Sequence, residues 1–508
     1  MKILALLSAV AVAVLAVLAV LAMPRPPRLG PETTGDAALA RSVRQAAGDG
    51  AGHRGMSVAL IEGGRVRFAG VGDSGGPVPR PVGPDTPYEV GSIPKVMTGM
   101  LLADLAEEGL SPDTPVRDLL PGLSGATGSV TLAELASHRS GLPRLRTTPL
   151  MLARAALGSY TGADPYAGAG PQDVLADAAA VSPDGKRGEV AYSNLGMALL
   201  GLALADHANA PRSPGGGYAA LLRTRLLEPL GMSATTVLGP RDPLPAGHAS
   251  GQGENGMPMD PWRDHGYAGA GGATWSTAAD VARLVQATMN ATAPGSAAAT
   301  PRFTDSGDRR IGYGWFTDKH GHREITWHNG ATGGFSAYAG FDRAAGRGVV
   351  VLANTSRSVD AVGLRLLGVA APDEDTPPVQ LLAVTVLFTL SGVPLLVATA
   401  TAVRRARRAE GPGEAAPAPP RALDRVSLVG RALWAALFLW LAHNAGLWTL
   451  VPPVAWSAGV VVLGVALALG LTVWPALPRS RTSSAWQAAF SVGLPAALLA
   501  AYGLAVAA

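Results

Sequence analysis

The hydrophobic residues of this chain form continuous runs at its two ends and short periodic segments between them. Residues 3–22 and 379–403 carry no charge, and residues 432–478 carry none across 47 positions. A Pro-Pro pair interrupts the longest run, so it reads as two segments joined by a turn. Residues 483–508 form a further apolar run. A helix of about 20 apolar residues is long enough to cross a bilayer, so both ends predict membrane segments.

The N-terminal run leaves two interpretations open. Lys2 precedes it and small residues lie near Ala22, as a signal peptide requires. The run is also longer than a usual signal core and just long enough to remain as an anchor. We therefore predict a signal peptide or an N-terminal membrane anchor at residues 1–23. A proline-rich linker is predicted at residues 24–45.

Arginines orient the C-terminal segments. The RRARR stretch at residues 404–408, the loop at 421–431 and the pair at 479 and 481 all fall on one side of the predicted bundle, whereas the turn at 451–455 is uncharged. The positive-inside rule places the basic loops in the cytoplasm. Residues 379–508 are therefore predicted as a membrane domain of about four helices with a cytoplasmic loop at 404–426. The polar segment before it is expected to lie outside the cell membrane.

Residues 46–371 show the periodicities of a folded domain. Residues 56–73 alternate apolar and polar positions around a Gly-Gly pair, which predicts a β-hairpin. REITWHNG, GFSAYAGFD and GRGVVVLANTS predict three strands near the end of the segment. Helical patterns lie between them, one starting at a capping-box pair, Thr131 and Glu134. The pattern predicts an α+β domain, a helical lobe on an antiparallel sheet, followed by an all-α transmembrane bundle.

Composition excludes several function classes. The chain has 508 residues, a net charge of +4 and no basic patch interleaved with aromatics, so nucleic acid is not an expected partner. It has no cysteine, which removes disulfides, thiolate catalysis and Cys-ligated metal. Its nine histidines are scattered, and no metal site or cofactor is predicted. The expected partners are the lipid bilayer and a small-molecule or peptide substrate.

One lysine stands out because lysine is rare in this chain. There are four lysines against 37 arginines, and Lys95 follows Ser92 by three residues at the start of a predicted helix. That spacing puts both side chains on one helix face. A buried lysine loses its proton readily and a neutral amine can take the proton of a serine hydroxyl, which arginine cannot do. A solvated helix lysine is the alternative interpretation.

Two further stretches complete a pattern. Tyr192-Ser193-Asn194 follows about a hundred residues after the S-x-x-K motif, and His328-Asn329-Gly330 lies on a predicted strand. With ELASHRSGLP and AGAGGATWSTAAD between them, the chain resembles the serine β-lactamase and penicillin-binding-protein family, most closely its class C β-lactamase, D,D-peptidase and esterase branch. The resemblance covers roughly residues 46–355. It implies a β-lactamase/transpeptidase-like fold and an acyl-enzyme mechanism.

The resemblance also implies roles for individual residues. Ser92 would be the acylated nucleophile, Lys95 its proton acceptor and Tyr192 a second acid or base. Which of Lys95 and Tyr192 is the base in each half-reaction stays open. Asn194 would hold the substrate amide, and the N–H groups of Ser92 and Ala331 would form the oxyanion hole.

The chain departs from the family where substrate is recognised. Members that act on β-lactams or on D-Ala peptides usually carry Lys-Thr-Gly where this chain has His328-Asn329-Gly330, and that Lys-Thr pair binds a carboxylate. A mostly neutral histidine favours an amide or ester substrate instead. In its predicted architecture the chain resembles the membrane-tethered peptidases that remove an N-acyl-D-asparagine cap from colibactin-type prodrugs. Asn329 and His265 are then candidates for binding a D-Asn side chain, although His265 also fits an ordinary loop histidine.

Other functions remain open from the sequence. A β-lactamase, D,D-carboxypeptidase or esterase of the same family is the nearest alternative to a D-amino-acid peptidase. A penicillin-binding membrane sensor is an alternative of another class, but the predicted cytoplasmic loop is short and rich in Pro and Ala, which disfavours a signalling domain. An exporter in the same membrane is a further conceivable partner.

Overall fold

A computed structural model describes residues 2–209, 216–371, 379–409, 423–479 and 485–507 of the chain. Part of the predicted cytoplasmic loop, residues 410–422, lies outside the described residues, as do 480–484. The strands are β1 Thr33–Gly35, β2 Gly55–Glu62, β3 Arg65–Gly72, β4 Tyr88–Glu89, β5 Thr236–Val237, β6 Thr274–Ser276, β7 Phe303–Thr304, β8 Arg310–Ile311, β9 Phe316–His320, β10 Arg323–Ala331, β11 Ser336–Asp342 and β12 Arg347–Ala353.

The strands form one large antiparallel sheet and one small one. The large sheet has nine strands in the order β1-β3-β2-β12-β11-β10-β9-β8-β7, and β4-β6-β5 form the small sheet. The predicted hairpin is confirmed as β2 and β3, and the three late strands are confirmed as β10, β11 and β12. Because β12 pairs with β2, the first and last parts of the domain lie side by side in the sheet.

The α-helices supply a helical lobe and a C-terminal bundle. They are α1 Lys2–Leu21, α2 Ala37–Ala46, α3 Pro94–Glu107, α4 Val116–Leu119, α5 Gly125–Gly128, α6 Leu132–Ala136, α7 Pro149–Thr161, α8 Pro171–Ala179, α9 Asn194–His207, α10 Gly216–Leu222, α11 Ala278–Met289, α12 Asp360–Leu366, α13 Val379–Thr389, α14 Val393–Ala409, α15 Arg425–Ala445, α16 Val454–Val473, α17 Ala485–Ala488 and α18 Leu494–Ala507. The predicted capping box is present: Thr131 accepts from the N–H of Glu134, whose carboxylate accepts from the N–H of Thr131.

The two faces of the large sheet are buried by different helices. Strand residues alternate between faces, so in β2 Ala59 and Ile61 belong to the buried cluster that includes residues of α3, α9 and α11. Val58 and Leu60 point the other way and pack with α2 and α12. The predicted α+β class is confirmed. The helical lobe lies on one face, and a thinner layer covers the other.

The predicted linker is shorter than expected. Within residues 24–45 the chain forms β1, which pairs with β3, and most of α2. Asp36 caps α2 by accepting from the N–H of Leu39 at 2.7 Å, and Leu39 and Val43 are buried one turn apart. The prediction followed the prolines at the start of this segment and missed the apolar spacing after them.

Three described helices are long and apolar enough to cross a membrane: Leu381–Arg407, Arg425–Ala445 and Val454–Ala476. The first consists of α13 and α14, and the fourth predicted C-terminal helix contains only a shorter apolar helix, Ala489–Ala500. The N-terminal α1 packs on α16, where Ser457 Oγ donates to the carbonyl of Ala19 at 2.8 Å.

The α+β domain, residues 33–371, and the C-terminal bundle touch at one end of the bundle. The side-chain amide of Asn255 donates to the carbonyl of Asn444, in the last turn of α15. Gly52 and Arg357 lie beside Thr449, in the turn between α15 and α16. This end of the bundle is opposite the arginines of α14 and of the first turns of α15.

Candidate active site

Ser92 and Lys95 meet at the start of α3. Ser92 lies just before the helix, Pro94 is its first residue, and the i to i+3 spacing brings the two side chains together. Lys95 Nζ is 2.9 Å from Ser92 Oγ and donates to the carbonyl of Ala270 at 2.5 Å. Lys95 is 0% exposed, so its ammonium form has no access to water. The predicted pairing of serine and lysine is present.

Tyr192 approaches the same serine oxygen from the other side. It precedes α9, whose N-cap Ser193 accepts from the N–H of Gly196 at 2.9 Å and so fixes the turn. The Tyr192 hydroxyl donates to Ser92 Oγ at 2.8 Å. Lys95 Nζ lies 4.9 Å from the centre of the Tyr192 ring. Three residues from two distant parts of the chain therefore converge on one hydroxyl.

Burial shifts the pKa values of Lys95 and Tyr192 in opposite directions. Burial, helped by the charge of Arg144, holds the pKa of Lys95 well below its usual value. Burial raises the pKa of Tyr192 to about 12, although the bond to Ser92 and the charge of Arg144 oppose the shift. At neutral pH the amine can therefore accept a proton, whereas the phenol keeps its own.

The end of β10 lies against the Ser92 loop because two glycines permit the contact. Gly91 has a φ of +52°, and a Cβ there would come within 2.5 Å of the nitrogen of Ala331. A Cβ on Gly330 would come within 3.0 Å of the nitrogen of Ser92. The N–H groups of Ser92 and Ala331 thus lie close together, as an oxyanion hole requires.

His328 and Asn329 point to opposite faces of β10, as adjacent strand residues do. His328 is 0% exposed, and its ring centre is 6.2 Å from that of Tyr192. Burial, with the nearby charge of Lys95, lowers the pKa of His328 to about 3, so it is neutral. The Asn329 amide instead donates to Asp360 of α12 at 2.7 Å. The predicted contact of Asn329 with substrate is wrong in this structure, because its side chain lies behind the sheet.

A cavity of about 80 Å³ opens on Ser92 and contains groups that the sequence analysis missed. Arg144 lines it, with its guanidinium carbon 5.4 Å from the centre of the Tyr192 ring. Asp264 also lines it and is 5% exposed. Burial, and secondarily the charge of Asp164, raises the pKa of Asp264 to about 8, so this carboxyl is mostly protonated at pH 7.

Asn194 faces the cavity as predicted, but His265 does not. Asn194 lines the cavity, and its Oδ1 is buried without a hydrogen-bond partner among the described residues. The His265 ring lies beside Gly170, at the start of α8, and is absent from the cavity wall. The structure thus gives no support to a contact of His265 with substrate, whereas its neighbour Asp264 lines the cavity.

His138, within the ELASHRSGLP motif, is a further site residue for which the sequence predicts no role. Its ring centre lies 4.5 Å from that of Tyr192, and its Nδ1 accepts from the N–H of Ser193 at 3.3 Å. It is fully buried with a φ of +56°, a conformation that non-glycine residues rarely adopt. Burial holds the pKa of His138 well below its usual value, and a positive charge on Lys95 or His328 would lower it further. A neutral His138 thus supports the ring of Tyr192.

Comparison with known proteins identifies the family. The family model described as Beta-lactamase matches residues 40–371, which is more than half of the chain. The chain belongs to the beta-lactamase family. The membership agrees with the S-x-x-K geometry at Ser92 and makes the protein a beta-lactamase-family serine hydrolase.

Relatives of this beta-lactamase-family chain include one curated human protein and many solved structures. The human protein, beta-lactamase-like 1, is 31% identical over 249 residues, and the match covers 46% of each chain, so it spans about half of that relative. A class C beta-lactamase from Rhodobacter sphaeroides matches with a TM-score of 0.53 and 23% identity, covering 64% of this chain and 96% of the other.

A beta-lactamase/D-alanine carboxypeptidase from Pseudomonas syringae matches with a TM-score of 0.56 and 20% identity, covering 66% of this chain and 100% of the other. These structures share the β-lactamase-like α+β fold. Each covers about two thirds of this beta-lactamase-family chain.

Proposed function

We propose that the protein is a membrane-anchored, extracytoplasmic serine hydrolase that forms an acyl-enzyme on Ser92 and acts as a peptidase or amidase on D-amino-acid-containing peptides. The observation that carries the proposal is the position of Ser92 Oγ, 2.9 Å from Lys95 Nζ and 2.8 Å from the Tyr192 hydroxyl. A serine hydroxyl becomes a nucleophile when a positioned base takes its proton.

The protonation states of Lys95 and Tyr192 support one assignment of the catalytic steps. Neutral Lys95 takes the proton of Ser92 as Oγ attacks the substrate carbonyl, and the N–H groups of Ser92 and Ala331 stabilise the oxyanion. Tyr192, which holds its proton at neutral pH, gives a hydrogen bond to Oγ and then donates this phenolic proton to the leaving amine as the scissile C–N bond breaks. The proton that Lys95 took from Ser92 then passes to Tyr192, so that the phenol is restored and Lys95 is neutral again. Water reverses these transfers when it releases the acyl group.

The substrate proposal rests on the neutral groups around the cavity. His328 is buried and neutral where relatives carry a cationic lysine, so the strand itself offers no charge to a carboxylate. Asn194 offers an unpaired amide oxygen, and protonated Asp264 both donates and accepts hydrogen bonds. Together these groups complement a primary amide, which supports a D-asparaginyl substrate of the prodrug-activating kind.

A β-lactamase or D-Ala carboxypeptidase activity is the second candidate, and one observation favours it. Arg144, in the segment between α6 and α7, brings a permanent cation to the cavity. A guanidinium binds a carboxylate well. The Pseudomonas syringae neighbour is described by both activities, so a carboxylate-bearing substrate is the alternative that an assay must test.

Membrane anchoring is supported by three helices of sufficient length and hydropathy. The catalytic lobe meets the bundle at the end opposite the arginines of α14, which by the positive-inside rule is the outer end. The packing of α1 on α16 supports a retained anchor rather than a cleaved signal.

The test is intact-mass spectrometry of the full chain in lipid nanodiscs. Wild type and Ser92→Ala are incubated separately with a fluorophosphonate, benzylpenicillin and an N-acyl-D-Asn amide. We expect a fluorophosphonate adduct on wild type alone, and faster turnover of the amide than of penicillin. Labelling of Ser92→Ala by the fluorophosphonate would contradict the assignment of Ser92 as the nucleophile. Faster hydrolysis of penicillin would make β-lactamase the better description.

A further inference from the structure

Helix α7 is unusual for a helix on a water-soluble domain. Its 13 residues, PLMLARAALGSYT, include one charge, and Gly158 is its only buried residue. Leu150, Leu152 and Leu157 are 63%, 58% and 56% exposed. Leu152 points about 160° away from Leu150 around the helix axis, so apolar surface lies on more than one side. A helix that is apolar on most sides is normally buried in a protein core or in a membrane.

The surroundings of α7 identify what covers this surface. Among the elements it contacts are α15 and α18 of the bundle. Helix α15 is long and apolar enough to cross a membrane, and α18 overlaps a shorter apolar helix. The leucines of α7 therefore continue the apolar surface of the bundle. About 20 Å of helix is too short to span a bilayer, so α7 fits within one leaflet.

Both ends of α7 lead into the wall of the active-site cavity. Thr148 caps the first turn by accepting from the N–H of Met151 at 3.1 Å, and Arg144 lies four residues earlier in the cavity wall. Gly162 ends the helix with a φ of +79°, where a Cβ would collide with the carbonyl of Pro258. Tyr166, four residues later, also lines the cavity. The helix is thus fixed to the cavity at both ends.

We propose that α7 inserts into the outer leaflet beside α15 and α18, and that the cavity of Ser92 receives its substrate sideways from that leaflet. The substrate class is an amphiphile whose hydrocarbon chain stays among the lipid chains while its carbonyl group reaches Ser92. This inference rests on the proposed membrane-anchored hydrolase and adds a route and a substrate class to it.

The cavity wall suits a boundary between lipid and water. Tyr166 and Trp262 both line it, and their rings meet edge to face with centres 4.9 Å apart. Aromatic side chains with a polar edge are favoured at membrane surfaces. Arg154, the single charge of α7, is exposed and long enough to reach lipid phosphates while its stem stays in the apolar layer.

The first test measures the depth of α7. The chain has no cysteine, so single variants Leu152→Cys, Leu387→Cys and Ala344→Cys can carry a fluorophore in liposomes whose acyl chains bear a nitroxide quencher. Leu387 is 66% exposed on α13 and marks the membrane. Ala344 lies between β11 and β12, at the end of these strands away from the Thr449 contact.

We expect the label at Leu152 to be quenched nearly as strongly as the label at Leu387, and the label at Ala344 to be quenched little. Quenching at Leu152 no stronger than at Ala344 overturns the inference. Cross-linking of two chains through the Cys at position 152 also overturns it, because a second copy would then cover α7. Absence of quenching at Leu387 contradicts the membrane anchoring instead.

The second test measures access to Ser92 without assuming a natural substrate. Labelling rates with an ethyl and a dodecyl fluorophosphonate are compared by intact mass in liposomes. In Leu157→Asp the ratio of dodecyl to ethyl rates should fall about tenfold, because a charge withdraws α7 from lipid. Leu157→Met should keep the wild-type ratio. An unchanged ratio in the Asp variant refutes delivery of substrate from the leaflet. If neither fluorophosphonate labels the wild-type protein, the assignment of Ser92 as the nucleophile is refuted instead.

Discussion

Replacing Lys95 with arginine separates proton transfer from positive charge. Lys95 Nζ is 2.9 Å from Ser92 Oγ, and the residue is 0% exposed. Its lowered pKa makes the neutral amine available as a base. A guanidinium stays protonated and cannot take the serine proton. We therefore expect Lys95→Arg to lose the contribution of the base, although it keeps a cation in the site.

The expected magnitude follows from general-base catalysis. A positioned base contributes about 10²–10⁴ in rate, which is roughly 2.7–5.5 kcal/mol at 1.36 kcal/mol per tenfold change. Lys95→Met should lose the same factor, since it also lacks a base. The two variants should differ in stability, because arginine buries a permanent charge whereas methionine buries none. We expect the melting temperature of the Arg variant to be the lower of the two.

The assay is the rate of fluorophosphonate labelling of Ser92, with thermal unfolding measured in parallel. A labelling rate for Lys95→Arg above about a tenth of wild type would refute the reasoning, because positive charge rather than proton transfer would then explain the activity that the variant retains. Equal loss in the Arg and Met variants, with different melting temperatures, is the result that supports it.

The pH dependence of stability checks the same residue. The folded pKa of Lys95 lies below its ordinary value of 10.5, so between these two values the unfolded chain binds the extra proton. The unfolding free energy of wild type should therefore rise with pH across this window, by up to about 1.4 kcal/mol per pH unit relative to Lys95→Met. Denaturant titrations at several pH values measure this difference, and parallel curves for the two proteins would contradict it.

Three further predictions follow from the site and the bundle. Tyr192→Phe should lower kcat about 10²–10³-fold with a smaller change in KM, because the phenol acts on the reacting oxygen; stopped-flow acylation kinetics measure it, and an unchanged kcat would remove Tyr192 from the mechanism. Asn329→Asp should lower the unfolding free energy by about 1–3 kcal/mol, because it places a second carboxylate opposite Asp360. A tenfold rise in KM at unchanged stability would instead mean that Asn329 contacts substrate. A reporter fused after Arg408 should be cytoplasmic and one at Thr355 exported; the reverse pair of results would invert the topology.

The local elements of the fold could be predicted because their signals are local. The hairpin of β2 and β3 follows from strict alternation around two glycines, and α6 follows from a capping box of four residues. The segment at residues 33–46 was missed because its composition begins as a linker and its apolar spacing covers little more than two turns. The proline-rich composition at the start of the segment therefore outweighed the short helical pattern that follows it.

The convergence of the catalytic groups could not be derived from spacing. Ser92 and Tyr192 are a hundred residues apart, and only the resemblance to a family joined them before the structure did. Arg144 and Asp264 lie outside the S-x-x-K, Tyr-Ser-Asn and His-Asn-Gly motifs, and their cavity exists only once the lobe packs on the sheet. The position of Asn329, by contrast, could be derived from the sequence. Adjacent residues of a strand point to opposite faces, so Asn329 and His328 cannot both face the Ser92 cavity.

The place where the domain begins and ends has a mechanical consequence. Helix α1 leads into it and α13 follows it, and both helices pack on α16. A domain attached to one bundle at two points has less freedom to rotate relative to that bundle than a domain attached by a single flexible linker. In a membrane, the cavity would therefore stay at a nearly constant distance from the bilayer surface. Molecules confined to that distance would reach it by a two-dimensional search, which raises their encounter rate. Molecules dissolved in the surrounding water would show no such increase in encounter rate.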